Sequence, residues 1–66
     1  MTVSYPHIHV KLVGTDGNAF FLIARVRQAL QRANVPADEI KAFCKEAMSG
    51  DYDHVLQTIL ATVNAS

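Results

Sequence analysis

A chain of 66 residues makes one domain, and at that size folding buries only about 60% of the surface the unfolded chain exposes, so the core is small and a staple or a partner adds to stability. Half of the residues are hydrophobic, which excludes a disordered tail, and six Lys plus Arg balance six Asp plus Glu, which removes the overall field that gathers nucleic acid or anionic lipid. The single cysteine, Cys44, excludes an intramolecular disulfide; with no apolar run near the about 18 to 20 residues of a membrane span and no secretory-signal pattern at the start, a soluble, cytoplasmic protein without membrane association is expected.

In chain order, Val3 and Tyr5 precede Pro6, which has no N–H to give a ladder, so this end is irregular or lies on a sheet edge. From His7 the alternation is regular. Ile8, Val10 and Leu12 point one way and His7, His9 and Lys11 the other, the period of a half-buried strand. "GTDG" closes it, with Gly14 and Gly17 tolerating positive φ and Asp16-Gly17 a common turn pair.

Asn18 is placed to N-cap a helix running to about Ala33, on which Ala19, Leu22, Ile23, Val26, Ala29, Leu30 and Ala33 form one apolar stripe. Phe20 and Phe21 fall outside that stripe, so the first half of the helix is apolar nearly all round and calls for cover on more than one side. Arg25, Gln28 and Arg32 share a polar stripe with Arg27 on its flank, which reads as a solvated face or as a docking surface for an acidic partner.

Pro36 ends that segment and suits a first helical position, with Asp38 and Glu39 in the first turn, where the helix dipole favours carboxylates. Ile40, Phe43, Cys44, Ala47 and Met48 mark the apolar face of this second helix, Gly50 suits a left-handed C-terminus, and Asp51 is placed to cap a third. Tyr52, Val55, Leu56, Ile59, Leu60 and Val63 mark the apolar face of the third helix, and the closing "NAS" reads as frayed. The fold expected is α+β and mostly helical: one N-terminal β-strand followed by three α-helices (β-α-α-α), a single small domain over residues 1–66.

A lone strand leaves N–H and C=O groups without partners. The simplest completion is the same strand of a second copy, antiparallel about a two-fold axis, which predicts a homodimer self-associating through Ile8, Val10 and Leu12, with Phe20, Phe21 and Arg27 left for an unknown protein partner. The other reading has residues 2 to 6 folding back beside the strand, or the strand remaining an extended arm of a monomer.

Few residues suggest chemistry. His7 and His9 lie about 7 Å apart on one strand face, the only metal-ligand pair with a spacing argument, and solvated histidines explain them better. "GTDGN" lacks the glycine spacing of a dinucleotide fingerprint and the Lys-Ser/Thr of a phosphate loop. Cys44 falls on an apolar stripe, and Asp51 and Asp53 are explained as a cap and a first-turn charge. No catalytic residue, cofactor or bound metal is expected.

Two resemblances add to this reading. A strand bearing His7, His9 and Lys11 and followed by helices is similar to the ribbon-helix-helix repressors, which implies paired strands from two chains in the DNA major groove with those three residues reading bases. Asp38 and Glu39 stand where that family holds a phosphate, and the Lys/Arg excess is missing. "VKLVGTDGNAF" and "SGDYDHVLQT" together resemble a family of small, functionally unassigned proteins of bacterial and phage genomes, which implies a similar fold and supplies no catalytic residue. The function expected is a non-enzymatic protein-interaction module that self-associates through its strand, with a ribbon-helix-helix DNA-binding regulator as the alternative.

Overall fold

The computed structural model describes residues 3–12 and 17–66. Their order is β1 (Tyr5–Val10), α1 (Ala19–Arg32), α2 (Ala37–Ala47), α3 (Tyr52–Thr62) and β2 (Val63–Ala65). The strand and three helices follow the expected order, and among the described residues no helix is long and apolar enough to cross a membrane. Gly14, Asp16 and the turn assigned to them lie outside the described residues.

The expected β-α-α-α is corrected by one element. β2 lies parallel to β1, pairing Tyr5 with Val63, His9 with Asn64 and Val10 with Ala65. The pairing continues past both ends: Ser4 N–H donates to Ala61 C=O (3.1 Å), Ser66 N–H to Val10 C=O (3.0 Å) and Leu12 N–H to Ser66 C=O (2.7 Å). The segment read as frayed is therefore docked, and β1 finds its partner in its own chain rather than in a second copy. Val63 makes the change of direction: it turns extended (φ −131°, ψ 168°) at the end of α3 and is 1% exposed. Between Tyr5 and His9 the register slips, β1 advancing four residues while β2 advances one, around a proline that has no N–H to donate.

The core gathers one face of each element: Ile8 and Val10 from β1, Leu22, Ile23, Val26 and Leu30 from α1, Ile40, Phe43 and Ala47 from α2, Val55 and Ile59 from α3, and Val63. Spacing of three and four residues placed most of these correctly. Ala33, Met48, Tyr52 and Leu60 were assigned to the same stripes and are exposed. Met48 is the C-cap of α2 and Tyr52 the first residue of α3, so both stand beyond the turns that face the core. The Tyr52 hydroxyl instead donates to Gly17 C=O, tying the start of α3 to the approach to α1.

Two expected caps form. Asn18 Oδ1 accepts from Phe20 N–H (2.8 Å) and Asp51 Oδ1 from His54 N–H (3.0 Å). α1 ends with Asn34 in the left-handed region (φ 62°), Val35 N–H bonding Leu30 C=O and Asn34 N–H bonding Gln31 C=O, the double closure typical of helix C-termini. Gly50, expected to adopt that conformation after α2, does not, and neither does Gly17. Gly50 is required for room: a Cβ there would lie 2.8 Å from Cβ and Cγ of His54. Pro36 stands one place earlier than expected, as the N-cap of α2.

Candidate interaction surface

The side chains assigned to self-association are used within the molecule. Ile8 and Val10 are buried in the core and Leu12 is half-buried against it, so neither Ile8 nor Val10 has a side chain left for a second copy. What remains of β1 is its other edge. Val10 C=O and Leu12 N–H are turned to Ser66, and successive residues of a strand direct their backbone groups to opposite sides. His9 and Lys11 therefore direct theirs away from β2, where Arg25 Nε donates to Lys11 C=O (3.2 Å).

That edge forms one wall of an open groove of about 520 Å³, with α1 as the other wall. His7, His9, Lys11, Arg25, Gln28 and Arg32 line it, all exposed, and among the described residues no carboxylate does. The polar stripe read along α1 thus faces the edge of β1, which linear spacing could not show. Arg25 and Gln28 also line a smaller depression with Phe21, Arg27 and Gln31, so the groove continues over the outer face of α1. Phe20 and Phe21 crown that face at 73% and 61% exposure, against the cover expected for them. Arg27 also borders a separate groove toward α2, beside Lys41 and a half-buried Cys44.

Charge is divided along the chain although it sums to zero. Before residue 38 four Lys or Arg stand against one Asp; from residue 38 onward two stand against five carboxylates. Net charge alone hides this separation, and it makes the β1–α1 side the cationic one.

Comparison with family models, with curated proteins and with solved structures finds no match for this chain.

Reasoning from sequence missed a second cluster, where α2 hands over to α3. His54 Nε2 lies 3.0 Å from both the backbone carbonyl and Oε2 of Glu46, and Ser49 Oγ donates to the same two oxygens at 2.7 and 2.8 Å. A backbone carbonyl only accepts, so Nε2 carries a hydrogen and cannot take one from the Ser49 hydroxyl 3.4 Å away. Serine, histidine and glutamate are together here, but the serine is not activated; the arrangement clamps two helix ends. Asp51 is spent on its cap, and Asp53 accepts from Gln57 Nε2 at 2.9 Å. Among the described residues no three His, Cys, Asp or Glu side chains converge as metal ligands, and His7 and His9 lie in the groove without a third.

The clamp titrates. The hydrogen bond that His54 donates to the Glu46 carboxylate raises the pKa of His54 above its ordinary 6.5, and the Ser49 hydroxyl, then His54, lower that of Glu46 below 4.5. The stabilisation held by His54 is complete below 6.5 and lost as pH rises through its raised value; that held by Glu46 is complete above 4.5 and lost as pH falls through its lowered value. Thermal stability should therefore peak between these two values, by a small margin because both groups are solvent-screened. Melting curves across that range should show the peak in the native chain and a flatter profile in His54→Gln; equal profiles would refute the clamp.

Proposed function

We propose that the protein is a non-enzymatic interaction module that engages a partner protein through the outer face of α1 and the adjoining edge of β1. The observation that carries this reading is the pair Phe20 and Phe21, 73% and 61% exposed on a helix whose opposite face is core. Two adjacent aromatics left in water forgo roughly 1.5–3 kcal/mol each of burial. With arginines beside them they have the composition of a binding hot spot.

Self-association through β1 is left with the outer edge. Two copies paired antiparallel about His9 would set His7 across from Lys11 and bring two cationic rims together, so self-pairing ranks below a different partner. The DNA reading keeps its three outward residues, His7, His9 and Lys11, and would require duplex binding that weakens with salt and is lost in Lys11→Glu.

A photo-crosslinking residue placed at position 20 tests the proposal in the cells that make the protein. One discrete adduct is expected, lost on Arg27→Glu; diffuse labelling, or an adduct indifferent to that change, would overturn the reading.

A further inference from the structure

We infer that the outer edge of β1 takes up an extended, acidic segment of a partner protein as a third strand. This rests on the interaction-module reading and specifies what one part of that surface binds. The two-stranded sheet uses one edge of β1, and the backbone groups of His9 and the N–H of Lys11 face the other. A strand laid there gains main-chain hydrogen bonds whatever its sequence, and the flanking side chains choose the sequence.

The flank is cationic. Lys11, Arg25 and Arg32 line the groove beside this edge, and among the described residues no carboxylate does. Arg25 and Arg32 stand about 10 Å apart along α1, within side-chain reach of carboxylates about 7 Å apart at alternate positions of a strand. Arginine holds a carboxylate through two parallel hydrogen bonds, which favours acidic side chains over neutral ones. The bond from Arg25 to Lys11 C=O fixes that guanidinium at the end of the edge, where it marks the limit of the pairing.

A second copy is the wrong occupant on two counts. Its own β1 brings like charge, and its carboxylates after residue 37 lie on helices α2 and α3 or cap one, so none belongs to a segment able to enter as a strand. A nucleic-acid backbone matches the charge and offers no amide ladder.

The test uses the full chain, labelled for amide NMR, and a blocked peptide of about six residues alternating Glu with Val. Binding should slow amide exchange at His9 and Lys11. Methylating the peptide nitrogens that face β1 should weaken it about tenfold, the loss of one or two ladder bonds. Arg25→Glu with Arg32→Glu should weaken it by a similar factor, with an unchanged circular dichroism spectrum. Equal binding of the methylated peptide, no protection at His9 and Lys11, or displacement of the peptide by duplex DNA would each overturn the inference. If it fails while the adduct at position 20 persists, the α1 reading stands; if both fail, the module reading goes with it.

Discussion

Val63→Asp leaves the chain largely unfolded at room temperature, while Asn64→Asp, one residue on, changes stability by no more than about 0.5 kcal/mol. Val63 is 1% exposed at the junction of α3 and β2, and nothing cationic is buried with it, since no polar or charged side chain is buried among the described residues. A carboxylate forced into that position costs several kcal/mol, against a total of roughly 3–5 kcal/mol for a single core of this size. Asn64 is exposed, so a charge there meets water. Denaturant titration of the two variants checks the contrast. A cooperative transition of native midpoint in Val63→Asp would mean that the C-terminal segment is not docked as described.

Gly50→Ala lowers the melting temperature and flattens its pH dependence together. The added Cβ would meet Cβ and Cγ of His54 at 2.8 Å and Cδ2 at 2.9 Å, the stem of the side chain rather than a free end that could swing aside. Overpacking of this kind costs about 1–3 kcal/mol, which in a domain of this size lowers the melting temperature by roughly 5 to 20 °C. Relief requires His54 to shift as a whole, stem included, and that draws its imidazole off Glu46. The pH profile of Gly50→Ala should therefore match that of His54→Gln. A variant that melts lower yet keeps the native profile would show that the clash is relieved elsewhere and that Gly50 does not hold the clamp.

How much of this was legible beforehand follows the range of each interaction. The apolar positions of α1, α2 and α3 recur every three or four residues, and the caps Asn18 and Asp51 act within three residues of themselves, so one reading of the chain finds them. Phe20 and Phe21, expected both to call for cover and to be left for a partner, are exposed in the single chain, because an all-round apolar helix start is as consistent with a binding face as with a covered one. The groove combines Lys11 with Arg25 and Arg32, and the clamp combines Glu46 with His54; each needs two elements to be placed before its members meet.

The sequence by itself determined the three helices, the core-facing side of β1 and the solvent-facing stripe of Arg25, Gln28 and Arg32, because periodicity and capping are local. Only the tertiary structure decided which strand completes β1. A three-residue segment such as Val63–Ala65 is too short to carry an alternation of its own, and it becomes a strand because burial of Val63 brings it alongside a backbone edge that has to be paired.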